Sequence, residues 1–155
     1  MAQTYADLLP GDFARLRRAE QPAVAAELAA RMGGPGNDHE HWLAEDADGI
    51  AAVAETGPGP LEWEIENGYP APPVPLQLIK LYAVRRAHGT GVGQALFDAA
   101  LGPRAAYLWI FDGNSRALAF YRRNGFRPDG FTAVSGPGWG ESLMLRLARA
   151  STVTA

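Results

Sequence analysis

The sequence of 155 residues has no cysteine. Disulfides, thiolate metal sites and a cysteine nucleophile are therefore excluded. Lysine is nearly absent too, since Lys80 is the only one. A phosphate loop of the Gly-x-x-x-x-Gly-Lys-Ser/Thr type needs a lysine after its glycines, and none stands there. No apolar run approaches the roughly 20 residues of a membrane-spanning helix. The first residues, Met1-Ala2-Gln3-Thr4-Tyr5, lack the charged and apolar regions of a secretion signal, so a cytoplasmic location without a membrane partner is expected. Basic runs are missing as well. The arginines are scattered and the formal net charge is -3, which argues against nucleic acid as a partner.

What remains is 47% hydrophobic, enough for one core and one domain at this length. Residues 5–32 have helical apolar spacing, with a break at Pro10-Gly11-Asp12. Residues 42–45 and 50–55 read as strands around a turn at 46–49. Gly57-Pro58-Gly59-Pro60 breaks the chain, 61–65 reads as a short strand or turn, and 67–75 is a proline-rich loop. Then follow a strand (76–84), a helix (94–101), a strand (105–111), a helix (115–124) and a closing strand pair (131–134 and 141–147). This order predicts an α/β fold with a mixed, mainly antiparallel sheet. No strand is evident before the first helix. An uncovered sheet edge there would favour a homodimer.

The densest signal is His88-Gly89-Thr90-Gly91-Val92-Gly93, between the strand 76–84 and the helix that follows. Glycines let backbone N–H groups approach a ligand closely. The helix start adds unpaired N–H donors and about half a positive charge. Such a turn suits phosphate oxygens. A dinucleotide fingerprint would need a glycine at position 94, where Gln94 stands. A second segment runs Asn114-Ser115-Arg116-Ala117-Leu118-Ala119-Phe120-Tyr121-Arg122-Arg123-Asn124-Gly125-Phe126. Asn114 suits a helix N-cap, and Gly125 suits the residue that stops that helix.

The two segments together resemble the GCN5-related N-acetyltransferase (GNAT) family. The first is similar to its acetyl-CoA loop, Gln/Arg-x-x-Gly-x-Gly/Ala, with His88 in place of the usual Gln or Arg. The second is similar to its later motif: Asn114, Ala117, Tyr121, then Gly125-Phe126. The resemblance implies a GNAT-like sheet flanked by helices, with a splayed central strand pair. It implies acetyl-CoA as co-substrate and transfer of an acetyl group to a primary amine. The backbone of Leu81, Tyr82 and Ala83 would pair with the pantetheine arm. His88, Gly89, Thr90, Gly91, Val92, Gly93 and Gln94 would hold the pyrophosphate, and Asn114 would touch the pantetheine. Ala83 and Arg85 replace a usual valine and proline. Tyr121 would be the general acid that protonates the departing thiolate. The same features are compatible with a coenzyme A-binding module that has no catalysis.

A general base is not evident. Relatives often carry a glutamate near the start of the central strand, where this chain has Gln77. Glu62, Glu64, Glu66 and Asp112 are the alternatives, each ordinarily a solvated carboxylate. His39 and His41 stand two apart with no further histidine nearby, so no metal is expected. Trp63 and Tyr69 either wall an acceptor site or pack beneath the proline loop, and Trp139 shares that ambiguity. The acceptor is a small-molecule or peptide amine, and the negative net charge favours a cationic one.

Overall fold

The structure is a computed structural model and describes residues 38–152. The helical pattern at 5–32, and whether a strand precedes it, lie outside the described residues. Among these residues six strands form one sheet: β1 (Glu40–Asp46), β2 (Gly49–Pro58), β3 (Leu76–Ala83), β4 (Ala106–Phe111), β5 (Arg127–Val134) and β6 (Leu143–Arg149). Their order is β1-β2-β3-β4-β6-β5. Only the β3–β4 contact is parallel, and it joins the strands at a single register pair, Gln77 with Tyr107. Every other neighbour is antiparallel. The two central strands therefore meet at one end and diverge toward their C-terminal ends.

Among the described residues three α-helices accompany the sheet: α1 (Glu62–Glu66), α2 (Val92–Ala100) and α3 (Ser115–Arg123). The helix α1 corrects the strand or turn predicted at 61–65. Glu62, Glu64 and Glu66 alternate with Trp63 and Ile65, a period of two that imitates a strand. Glu64 nevertheless sits three residues after Leu61 and accepts its N–H at 2.8 Å, the back-reaching half of a capping box. Further corrections are of extent. Residues 57 and 58 end β2 rather than breaking the chain, β5 begins at Arg127 rather than 131, and β6 spans 143–149 rather than 141–147.

One irregularity sets the side-chain pattern of β3. Glu55 opposes Lys80 while Thr56 opposes Leu78, so Ile79 is an extra residue. This bulge puts Leu78 and Leu81 on the same face despite their odd spacing. That face packs on α2 and α3. Leu78, Phe97, Leu108, Ile110, Tyr121, Phe126 and Leu147 form its core, and Leu96 and Ala100 of α2 cover Ala52 and Ala54 of β2. Arg149 closes the far end. It bonds the carbonyls of Gly102 and Asn124, just beyond the C-termini of α2 and α3, with its guanidinium over Phe97 and Phe126. A cation suits the negative ends of two helices.

Candidate active site

Loop 88–94 follows β3 through a short 3-10 turn, Arg85–Ala87. Gly89 and Gly91 have φ of +76° and +87°, which L side chains rarely adopt. Gly93 differs. Its φ is ordinary, it lies in the first turn of α2, and a Cβ built on it meets nothing within 4 Å. Nothing among the described residues requires glycine there. Thr90 closes the loop, with its hydroxyl donating to the Ala87 carbonyl at 2.7 Å. The N–H groups of Val92, Gly93 and Gln94 precede the first intrahelical bond of α2, from Ala95 N to Gly91 O. Val92 N–H donates to Thr90 Oγ1 at 3.4 Å, and those of Gly93 and Gln94 have no carbonyl of their own helix to meet.

The loop forms one wall of a cleft of about 360 Å³. The other wall is α3, through Arg116, Ala119, Phe120 and Arg123, and Ala83 at the end of β3 reaches the cleft. The Gln94 side chain ties the walls together. Its Nε2 donates to Asn124 Oδ1 at 2.8 Å, and Asn124 Nδ2 donates back to Gln94 Oε1 at 3.1 Å. His88 does the same at the mouth. Its Nε2 lies 3.0 Å from the Ala83 carbonyl, which only accepts, so Nε2 carries the proton. Nδ1 is then the acceptor for the Arg116 guanidinium.

Past the Gln77–Tyr107 pair, Leu81, Tyr82 and Ala83 have no ladder partner in β4. Asn114 caps α3, and its Oδ1 accepts the Ala117 N–H at 3.1 Å. The helix ends as Gly125 takes φ of +88°. Phe126 N then bonds Tyr121 O, and Gly125 N bonds Arg122 O, the paired bonds of a Schellman stop. Tyr121 faces inward, 8% exposed, with ring centroids 5.3 and 5.7 Å from Phe120 and Phe126. It shares its cluster with Leu78 of β3 and Leu108 and Ile110 of β4, so it lies beneath the diverging pair.

The other face of the sheet carries the remaining candidates. Glu64 is buried rather than solvated. Its carboxylate accepts from Tyr107 at 3.0 Å, from Trp109 Nε1 at 3.0 Å and from Leu61 N. The one Tyr107 proton is shared between Glu64 and Gln77. Gln77 Oε1, 2.9 Å away, is the second acceptor of the same hydroxyl. Burial, then the charge of Glu64, pushes the Tyr107 hydroxyl far above its ordinary range. Gly59 is required beneath this group, because a Cβ there would lie 2.0 Å from the Tyr107 hydroxyl. Glu62, Glu66 and Asp112 are exposed. Trp63 and Tyr69 pack against Trp109, and Tyr69 also against Phe131. The cation over Trp109 and Phe131 is the protein's own Arg146, which also bonds Asp129 and the Pro70 carbonyl. Trp139 packs on Phe111. His39 Nδ1 donates to Glu55 at 2.7 Å, and Lys80 donates to the other oxygen of Glu55 at 2.7 Å. Burial raises the Glu55 pKa, but the bonds from Lys80 and His39 outweigh it and leave the group below its ordinary value.

The family profile of the Acetyltransferase (GNAT) domain matches residues 37–128, which include both motifs and the diverging strands. The chain belongs to the GNAT family. No curated protein matches the sequence. Solved structures with the GNAT fold of this chain include nourseothricin acetyltransferase, 21% identical, covering 72% of this chain and 65% of that one with a TM-score of 0.56. The chain thus spans slightly less than two thirds of that protein. The ribosomal-protein-S18-alanine N-acetyltransferase of Escherichia coli is 15% identical, with coverage of 84% and 78% and a TM-score of 0.57. The PaiA N-acetyltransferase of Thermoplasma acidophilum, in complex with coenzyme A, is 15% identical, with coverage of 94% and 83% and a TM-score of 0.58. At these identities the likeness is one of fold.

The cleft of this GNAT protein fits the phosphate end of coenzyme A. Among the described residues, the space over Gly89, Gly91 and Gly93 is open, two arginines and a histidine line it, and no carboxylate does. The sequence reading missed Arg116 and Arg123. Their signal was a spacing of seven on one helix, flanking Ala119 and Phe120 at the same face.

Proposed function

We propose that the protein is an N-acetyltransferase that moves an acetyl group from acetyl-CoA to a primary amine, by direct transfer while both substrates are bound, in the cytoplasm. The observation that carries this reading is Gly93, a glycine that no described residue requires, beside the Gly93 and Gln94 N–H groups, which meet no carbonyl of their own helix, in a cleft that no acid lines among the described residues. The amides of the first turn of α2 and loop 88–94 hold the pyrophosphate. The stretch Leu81–Ala83, which lies beyond the single register pair with β4, takes the pantetheine arm as a strand would, and Asn114 borders it. Acetyl-CoA supplies the activated thioester. The neutral amine nitrogen attacks the thioester carbon, the C–S bond breaks, the Tyr121 hydroxyl gives its proton to the departing thiolate, and the proton lost by the amine nitrogen passes through water to restore the tyrosine. The acceptor is a small-molecule or peptide amine. The nourseothricin and ribosomal-protein relatives span both classes by name.

One observation favours a second reading, a coenzyme A-binding module without catalysis. Gln77 cannot act as a base, and Glu64 has both oxygens committed. The experiment that separates the two is thiol release from acetyl-CoA over a panel of amines, with Tyr121→Phe beside the parent. A catalyst releases thiol, and Tyr121→Phe lowers kcat by roughly 10²-fold or more while coenzyme A affinity stays within about twofold. No release with any amine, by a protein that binds coenzyme A, would leave the module reading standing.

A further inference from the structure

The proposed function uses the loop and the start of α2 but gives no task to the opposite wall. That wall is one stripe of α3, at i, i+3, i+4 and i+7: Arg116, Ala119, Phe120 and Arg123. Its two arginines lie about 10 Å apart along the helix. Among the described residues neither is paired with a carboxylate, whereas Arg86, Arg104 and Arg146 are held by Asp46, Glu40 and Asp129. In a chain of net charge -3, two guanidiniums and no acid line this cleft among the described residues. Both are oriented. Arg116 donates to Nδ1 of His88, whose other nitrogen is fixed by the Ala83 carbonyl. Arg123 lies over the Phe120 ring, 5.9 Å from its centroid. Ala119 stands between them and keeps the wall low.

We propose that Arg116, oriented by His88, and Arg123 form a second anion subsite for a phosphate monoester, through which the protein distinguishes coenzyme A from its 3′-dephospho form. A phosphate monoester carries nearly two negative charges at neutral pH. The guanidinium fork matches its oxygens better than a lysine would. The inference rests on the acetyl-CoA reading, and it gives His88 a part. Where the family motif carries Gln or Arg, this chain brings a guanidinium to the same place from α3 and holds it with an imidazole.

The test is calorimetric titration of the full chain with coenzyme A and with 3′-dephospho-coenzyme A, for the parent, Arg116→Gln and Arg123→Gln. Both arginines are exposed, so the fold is retained, and thermal melts verify it. The parent is expected to bind coenzyme A at least tenfold more tightly than the dephospho form. Each substitution is expected to weaken coenzyme A binding by about tenfold and to leave dephospho-coenzyme A within about twofold. Equal affinity of the parent for the two ligands would overturn the proposal. So would an undiminished ratio in both variants, or an equal loss for both ligands, which would assign the arginines to the pyrophosphate. In each of those cases the acetyl-CoA reading survives. Failure of the parent to bind coenzyme A at all would remove both.

Discussion

On the face that carries α2 and α3, the central strands present Leu78, Leu108, Ile110 and Leu147. On the opposite face the same strands, with β2, present Glu55, Gln77, Lys80, Tyr107, Trp109 and Arg146. The apolar face holds by burial and has its polar chemistry at one end, in loop 88–94. The polar face is crowded with charge, yet no buried side-chain nitrogen or oxygen among the described residues lacks a partner. Charge alone therefore does not mark the site. A polar group whose bonds are complete fixes the fold, because leaving it unpaired in a dry interior is costly. A donor left open at a cleft is available to a ligand. Glu64 is of the first kind, and the amides around Gly93 are of the second.

The largest effect is expected from breaking the polar face. Glu64→Ala leaves the Trp109 N–H and the Leu61 N–H without their acceptor and the Tyr107 hydroxyl with Gln77 alone. The cost is about 3–5 kcal/mol, read by urea unfolding, while acetyl-CoA affinity of the folded protein stays within about twofold. A large loss of affinity at small cost in stability would move Glu64 into the site and erase the contrast.

Acid should act on the same face. The folded pKa of Glu55 lies below the unfolded value of 4.5, so the native state binds fewer protons there than the unfolded chain does. Its contribution is present above pH 4.5 and is lost as pH falls through the lowered folded value. Thermal melts from pH 7 to pH 3 are expected to fall less steeply for Glu55→Gln than for the parent below pH 4.5. The effect is smaller than that of Glu64→Ala, because the partner Lys80 is partly exposed and can rehydrate.

The smallest effect sharpens the comparison from the other side. Asn114→Ala removes the acceptor of the Ala117 N–H and should cost about 1 kcal/mol by urea unfolding. If Asn114 also borders the pantetheine, acetyl-CoA affinity falls together with stability, unlike in Glu64→Ala.

These two regions were unequally legible in the sequence. The loop, the cap at Asn114 and the stop at Gly125 follow from short-range chemistry, in which the residue type and its backbone angle are one fact. The polar face is assembled from residues 43 to 45 positions apart, such as Glu64 with Tyr107 and Trp109, and no local pattern announces such a pair. The helix α1 was hidden by its alternation of acids with apolar residues. The bulge at Ile79 was hidden because it depends on the register against β2. Lys80, Glu55 and His39 were visible singly, but their meeting requires that register. Arg116 and Arg123 were visible as a spacing and were lost among scattered arginines.

The most direct measurement is calorimetric titration of acetyl-CoA into the parent and into Gly93→Asp. The backbone at Gly93 accepts any residue and the space around it is open. An aspartate in the first turn of a helix is favourable in itself, so Gly93→Asp should melt no lower than the parent. If the loop holds the pyrophosphate, the parent binds at micromolar concentration and the new carboxylate abolishes the heat of binding. Equal binding by the two proteins, or none by a folded parent, would contradict the account and leave the glycines as turns.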